Sequence, residues 1–328
     1  MHPLNSFSLK IMKNFRISLT VIFTVILSAA FSQDINQAGE MFNKGISAQQ
    51  AEDYPGAIAA YQQALSICSQ LGDAGADLGL KSEKQLALSH FSMGKKLFGE
   101  KKYDEALTQF GHASEYAQKI ADDKTFDASH TYMAGINFAL GNNLLKNENY
   151  DGAVEKYTLA LQIKPDYYKA YYGLGLVYKK QENLPLMKEN LDKAISMAGT
   201  DQKTIDNSKD AAATAFRNEG AKALQNSNYQ AAADQLSTSI EYNQADPKTS
   251  YYLSVAYNGL KRWDDALTAT VKALETETGD KSDIYFEVGK ANEGKGDAAA
   301  ACKAYKSVTT GVNVKAAVYQ IEQVLKCK

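Results

Sequence analysis

The side chains that could do chemistry are few, and their spacing does not build a catalytic or metal centre. His90, His112 and His130 never stand at a metal-ligand spacing such as HxxxH, and no pair of cysteines does either. The strings GxxxxGKS/T, HExxH and GxSxG do not occur anywhere in the chain. We therefore expect no enzyme, no metal and no cofactor, and we interpret the histidines as surface or packing residues.

Cysteine is the one remaining reactive residue type, with three copies in 328 residues. Cys68 fits a helix interior, where a thiol packs as a small hydrophobe. Cys302 and Cys327 are the only pair that could form a disulfide bond. Two antiparallel helices around a turn near Gly311 would place Cys302 opposite about residue 320, roughly 10 Å of helix rise from Cys327. This register favours two free thiols, whereas an oxidising compartment would allow a bridge.

A pattern of small residues organises the whole chain. A glycine or serine is followed twelve residues later by alanine in six places, and by Met187 after Gly175 in a seventh. The six pairs are Gly45–Ala57, Gly94–Ala106, Gly141–Ala153, Gly220–Ala232, Ser254–Ala266 and Gly289–Ala301. A glycine inside a helix costs about 1 kcal/mol relative to alanine. Seven such positions in phase therefore predict pairs of helices that approach closely at those points.

The residues around each pair predict a helix, a short turn and a second helix. Within 134–165, apolar residues recur at helical spacing, Asn-Glu-Asn forms the turn, and Pro165 ends the second helix. Three residues before the second small residue stands a turn marker that is usually aromatic. These markers are Tyr54, Tyr103, Tyr150, Leu184, Tyr229, Trp263 and, weakest, Ala298. No stretch alternates like a strand, so the chain is predicted to be all-α.

On these residues the sequence resembles the tetratricopeptide repeat family, whose unit is a 34-residue helix–turn–helix. Segment 134–167 carries the motif most completely, through Leu140, Gly141, Tyr150 and Ala153. The resemblance implies a right-handed α-solenoid of about seven units within residues 33–312. The units lie near 38–71, 87–120, 134–167, 168–201, 213–246, 247–280 and 282–315.

The distance between successive turn markers is uneven, and this predicts elongated helices. Three of the steps add 11 to 15 residues to a basic step of about 34. Stretches 74–99 and 126–147 show continuous helical patterns, so we expect long helices with short breaks near 72–75 and 122–124. The final segment, 313–328, is one more amphipathic helix. Because a repeat array needs a cap over its last apolar face, we interpret this segment as a C-terminal capping helix.

Residues 1–32 predict a secretory signal peptide. Lys10, Lys13 and Arg16 precede an apolar run over 17–31, and Ala-Phe-Ser at 30–32 offers small residues where a signal peptidase cleaves. The run has about 15 residues, whereas a membrane span needs about 20. An uncleaved anchor is the alternative. We expect export to the periplasm, the cell surface or the medium, with no membrane span after cleavage.

Charge narrows the class of partner. Cleavage would leave 33 basic against 38 acidic residues, a net charge of −5. A mildly acidic array has no electrostatic reason to bind nucleic acid. We therefore expect a protein or peptide partner, within an envelope complex.

The resemblance also implies where a partner would bind. In similar folds, first helices line a concave groove, and the residue three before each small residue faces it. These positions are Phe42, Phe91, Phe138, Tyr172, Arg217, Tyr251 and Phe286, with Lys95, Asn142 and Lys179 nearby. We hypothesise that this aromatic groove holds an extended peptide or a partner helix, as in a scaffold. The alternative for each ring is packing into neighbouring repeats.

A second class of function remains open. The tyrosines at 167, 168, 171 and 172 are denser than packing requires, and they could stack on sugars. The alternative function is therefore a glycan- or peptidoglycan-binding protein of the envelope.

Overall fold

The computed structural model describes residues 34–328, and within them it contains helices and turns but no strand. The helices are α1 (34–50), α2 (Tyr54–Gln70), α3 (Ala76–Gly99), α4 (Tyr103–Lys119), α5 (Asp123–Lys146), α6 (Tyr150–Ile163), α7 (Tyr168–Lys180), α8 (Leu184–Met197), α9 (Gln202–Gln225), α10 (Tyr229–Tyr242), α11 (Pro247–Gly259), α12 (Trp263–Thr276), α13 (Ser282–Lys295), α14 (Ala298–Lys306) and α15 (Val314–Tyr319). The first fourteen form seven successive helix hairpins, which confirms the all-α fold class and the seven units. The predicted signal peptide lies outside the described residues.

The chain divides into two compact units. One runs to Ala139 and includes Gln162–Pro165, and the other comprises Leu140–Leu161 with Asp166–Lys328. In the first unit, α3 packs against both α2 and α4. In the second, the first helices α7, α9, α11 and α13 contact one another in order, and each second helix contacts the next first helix. Hairpin therefore stacks on hairpin in chain order within this unit.

The glycines of the repeat allow close approach, as predicted, but their partner is not the alanine twelve residues on. A Cβ added at each would lie 2.4–2.8 Å from the side chain sixteen residues later. These contacts are Gly45–Tyr61, Gly94–Phe110, Gly141–Tyr157, Gly175–Leu191, Gly220–Leu236 and Gly289–Tyr305. In the sixth hairpin, Ser254 and Thr270 occupy the two places, and both are buried. The alanines at +12 and Met187 are fully buried beside these contacts.

The seven hairpin turns share one backbone conformation. Two residues before each turn marker, the chain adopts a positive φ, at Glu52, Lys101, Glu148, Glu182, Ser227, Lys261 and Gly296. Only the last is a glycine, although this region favours glycine by about 1–2 kcal/mol. In five of the seven turns an Asp or Asn side chain then accepts a hydrogen bond from the backbone of the second helix. The turn is thus fixed by caps as much as by glycine.

The longer steps between turn markers correspond to long first helices, as predicted. Helices α3, α5 and α9 each contain 24 residues. A short 3₁₀ helix at Gly72–Gly75 separates α2 from α3. A residue with positive φ, Ala121, lies between α4 and α5. Both breaks fall where the sequence places them.

The C-terminal segment caps the last hairpin, but it is not one continuous helix. Helix α15 ends at Tyr319, and Gln320–Val324 follow in a wider π-helical turn. Ala317 is buried with Tyr305 and Val308, and Ile321 and Leu325 pack against the same cluster. The apolar face of the last hairpin is therefore covered.

Cys302 and Cys327 are bridged, with their Cα atoms 5.7 Å apart, so the expectation of two free thiols is wrong. The register argument assumed a straight helix to the end of the chain. Instead, the chain turns back after the π-helical turn, and the Cys327 N–H donates to the Ile321 carbonyl over 2.8 Å. This brings Cys327 to α14. Cys68 is free and buried, as expected.

Candidate functional site

Four of the predicted groove residues lie on consecutive, contacting first helices of the second unit. Tyr172 lies on α7, Arg217 on α9, Tyr251 on α11 and Phe286 on α13, and all four are half-buried. Each ring has neighbours: Tyr172 packs against the Met187 cluster, Tyr251 lies 5.5 Å from Tyr252, and Phe286 lies 5.6 Å from Tyr305. Burial raises the pKa of the Tyr172 and Tyr251 hydroxyls. We call these four residues the first-helix row.

The non-aromatic member of this row is already paired. Arg217 Nη1 donates to Asp246 Oδ2 over 2.6 Å, and the same oxygen accepts from the Thr249 hydroxyl over 2.7 Å. Burial by itself would raise the pKa of Asp246. The hydrogen bonds from Thr249 and Arg217 outweigh it and hold the pKa below its ordinary value. Arg217 therefore holds α9 against the start of α11. The ion pair with Asp246 also fixes the position of its guanidinium group.

The first unit carries the remaining aromatic positions. Phe42 lies 5.4 Å from Tyr61, and Phe91 lies 5.6 Å from Phe110. Phe138 is half-buried, like the other two rings. Lys95 is exposed, with its Nζ 6.0 Å from the centre of the Phe91 ring. Every predicted aromatic position is thus half-buried, and Phe42 and Phe91 each pack against a ring of their own hairpin.

The two other polar candidates have different roles. Asn142 is exposed and accepts a hydrogen bond from the Tyr157 hydroxyl over 2.7 Å, so it helps to join the third hairpin. Lys179 is half-buried, and burial, followed by the nearby Lys180 and Arg217 charges, lowers the pKa of its ammonium. Lys179 also lines a crevice of about 420 Å³ with Leu145, Lys146 and Lys180.

The tyrosine cluster that suggested sugar stacking is largely engaged within the protein. The Tyr168 hydroxyl donates to Asp201 over 3.0 Å. Lys193 Nζ lies 5.4 Å from the centre of the Tyr171 ring. Tyr172 packs into the core as described above. The rings therefore do not form one open stacking platform.

Residues 34–328 contain no group of three or more His, Cys, Asp or Glu side chains that could hold a metal ion. His90 is buried, with Nδ1 2.8 Å from Gln109 Oε1, and burial lowers its pKa. No helix of these residues is both long enough and apolar enough for a membrane span.

Sequence reasoning missed a polar site at the end of the second unit. Asn258 and Glu287 are each only 4% exposed and are hydrogen bonded to each other. They adjoin a crevice of about 490 Å³ that Gln320 of the C-terminal segment helps to line. Trp263, the single tryptophan of the chain, also lines it, although its spacing identified it only as a turn marker. The sequence feature that could have indicated this crevice is Gly294. It occupies the position on α13 that Lys180 occupies on α7, where Lys180 lines the crevice of about 420 Å³.

Comparisons with known proteins agree with the repeat architecture. Family models described as TPR repeat and tetratricopeptide repeat match residues 141–182, 168–201 and 217–282. A comparison with curated proteins gave no match.

Solved structures with similar folds are distant in sequence. MamA is 22% identical, with 58% of this chain and 95% of MamA covered and a TM-score of 0.36. YrrB, a TPR protein with an unusual peptide-binding site, is 19% identical, with 53% and 83% covered and a TM-score of 0.34. The TPR2AB-domain:pHSP90 complex of yeast Sti1 is 16% identical, with 89% and 98% covered and a TM-score of 0.33.

Proposed function

We propose that this all-α chain, whose residues 141–201 and 217–282 match tetratricopeptide repeat models, is a non-catalytic interaction scaffold of the cell envelope. Its binding surface holds an extended peptide or a helix of a partner protein. The observation that carries the proposal is the first-helix row, whose four side chains, three of them aromatic, lie on consecutive, contacting first helices and are each half-buried.

Half-buried rings suit this role for a physical reason. Packing on one side fixes the ring, so little conformational entropy remains to be lost when a partner covers the other side. Aromatic side chains then contribute large contact areas, and they are common among the residues that dominate binding energy. In the first unit, Phe42, Phe91 and Phe138 have the same half-buried character and offer a second such surface.

Export is part of the proposal, and two features support it. The basic and apolar pattern of residues 10–31 is typical of a signal peptide. The bridge between Cys302 and Cys327 suits an oxidising compartment, since cytosolic thiols are kept reduced. We therefore place the mature protein in the periplasm, on the cell surface or in the medium.

The experiment is site-specific photo-cross-linking in native envelopes, with the photoreactive residue at position 172 or 251. Matched controls carry it at Thr158 or Lys303, which are exposed on second helices of the same unit. We expect one partner protein to cross-link from positions 172 and 251 and not from the control positions. We also expect Tyr251→Ala to weaken binding of the purified partner at least tenfold while the helix content of the variant is unchanged. Equal cross-linking from the row positions and the control positions, or an unchanged affinity of Tyr251→Ala for the partner, would contradict the proposal.

The glycan alternative is separated by calorimetry. Titration with envelope oligosaccharides should give no binding heat if the protein is a scaffold. A saturable heat that Tyr172→Ala removes would favour the glycan-binding function instead.

A further inference from the structure

The crevice at the end of the second unit is built by four helices and the C-terminal segment. It measures about 490 Å³. Its lining residues are Asn258, Trp263, Phe286, Lys290, Glu293, Gly294, Tyr305 and Gln320. A Cβ at position 294 would lie 2.5 Å from the Trp263 indole, so glycine is required there for α13 to approach the ring. Three aromatic residues, Trp263, Phe286 and Tyr305, therefore line the same crevice.

Two buried oxygen atoms of this crevice have no hydrogen-bond donor. They are Oδ1 of Asn258 and Oε1 of Gln320. The orientation of the Asn258 amide is fixed, because its Nδ2 donates to the Glu287 carbonyl oxygen over 3.0 Å and to Glu287 Oε2 over 2.7 Å. A buried acceptor without a donor destabilises the folded state, because it has given up its hydrogen bonds to water. A ligand that brings N–H groups to both oxygens would recover this free energy.

The charge of the crevice favours a cation. Glu287 is paired with Lys290, whose Nζ lies 3.0 Å from Oε2, so these two charges cancel. Lys290 also lies 5.9 Å from the Phe286 ring centre. Glu293 remains. Its Oε2 accepts from the Tyr305 hydroxyl over 2.7 Å, a neutral partner that leaves the negative charge in place. The lining residues together with Glu287 therefore carry one net negative charge.

The corresponding crevice of the earlier hairpins has the opposite character. It is lined by Lys146, Lys179 and Lys180, with Glu148 as its acidic residue. Unlike that crevice, the C-terminal one combines unpaired acceptors, aromatic walls and a net negative charge.

We propose that the C-terminal crevice binds the guanidinium group of an arginine side chain. This group is planar, always charged and carries five N–H donors, and it stacks on aromatic rings. It therefore answers all three features of the site: the acceptor oxygens, the rings and the carboxylate. Taking the arginine from a partner polypeptide rests on the scaffold function proposed above; the chemistry of the crevice does not.

Trp263 provides a direct test, because its fluorescence is the only tryptophan signal of the full chain. The probe is N-acetyl-arginine methylamide, and the matched neutral probe is N-acetyl-citrulline methylamide. We expect a saturable change with the arginine probe and at least tenfold weaker binding of citrulline. Glu293→Gln keeps an acceptor for Tyr305 but removes the charge, and should weaken the arginine probe at least tenfold. Gln320→Leu should weaken it as well, whereas the exposed control Glu322→Gln should not.

Several results would overturn the proposal. They are the absence of a saturable change, equal binding of citrulline, unchanged affinity of both the Glu293 and the Gln320 variants, or an equal saturable response to the neutral disaccharide maltose. Circular dichroism of each variant shows whether it is folded. The outcome is independent of the cross-linking experiment: a partner captured from the first-helix row without arginine binding would keep the scaffold and reject the arginine site.

Discussion

The glycine contacts of the hairpins can be tested within one hairpin by comparing Gly94→Ala with Gly111→Ala. A Cβ at position 94 would lie 2.8 Å from Cε1 of Phe110, whereas a Cβ at position 111 would meet nothing within 4 Å. Phe110 cannot easily move away. Its ring is fully buried and stacks on Tyr132 at 4.9 Å.

The magnitudes follow from these contacts. Alanine in place of a helical glycine gains about 1 kcal/mol, and forcing an extra carbon into a packed core costs about 1–3 kcal/mol. Gly111→Ala should therefore stabilise the protein by about 1 kcal/mol, and Gly94→Ala should destabilise it by about 0–2 kcal/mol. Urea unfolding followed by circular dichroism measures both variants. If Gly94→Ala proves as stable as Gly111→Ala, the close approach is not what requires glycine.

The sixth hairpin suggests the rescue. Ser254 and Thr270 show that a larger first residue is accommodated when the residue sixteen positions later is smaller. On a Phe110→Thr background, Gly94→Ala should lose its penalty. We expect a coupling free energy of about 0.5–3 kcal/mol between positions 94 and 110, since contacting residues are not additive. Additive effects of the two substitutions would contradict the contact.

Three further predictions concern the turns, the histidines and the disulfide bond. Lys101 has φ 62°, so Lys101→Gly should stabilise the protein by about 0.5–1 kcal/mol in urea unfolding. Burial lowers the pKa of His90 and His130 below 6.5, so the unfolded chain binds more protons at low pH. The free energy of unfolding should therefore be constant above about pH 6.5 and fall below it, less steeply in His90→Gln. Reducing the Cys302–Cys327 bridge should destabilise the C-terminal cap by about 3 kcal/mol, seen as faster hydrogen exchange.

Each of these three has its own control. Gly296→Ala, at the matching turn position with φ 81°, should destabilise where Lys101→Gly stabilises. An unfolding free energy that rises below pH 6.5 would contradict the lowered pKa of His90 and His130. Hydrogen exchange in α7 should not respond to reduction, because the bridge closes a loop of the last hairpin only.

The hairpins could be predicted because their packing repeats. Gly94 and its equivalents recur at fixed spacing, and the reason is local: two helices joined by a short turn must pass closely at the same height each time. The repeating pattern marks the alanine at +12, whereas the side chain at +16, an aromatic ring or a leucine, faces the glycine. In a helix these positions are one turn apart on the same face, so the pattern fixes the face but not which of the two residues makes contact.

The C-terminal crevice could not be predicted, because the structure that forms it does not repeat. It depends on the π-helical turn that follows Tyr319, and within residues 34–328 this turn occurs once. Periodicity carries no information about a single irregular turn. The positions of Gln320 and Cys327 both depend on it, which is why the disulfide expectation was wrong.

The sulfur–sulfur link also decides how the end of the array bears tension. A force pulling on Lys328 enters the chain at Cys327 and crosses directly to Cys302 on α14. The segment between them, 303–326, carries none of this force. Gln320 therefore keeps its position, while the seventh hairpin bears the load. A tether attached at the carboxyl end would thus pull on α14 and the hairpins before it without pulling on Gln320.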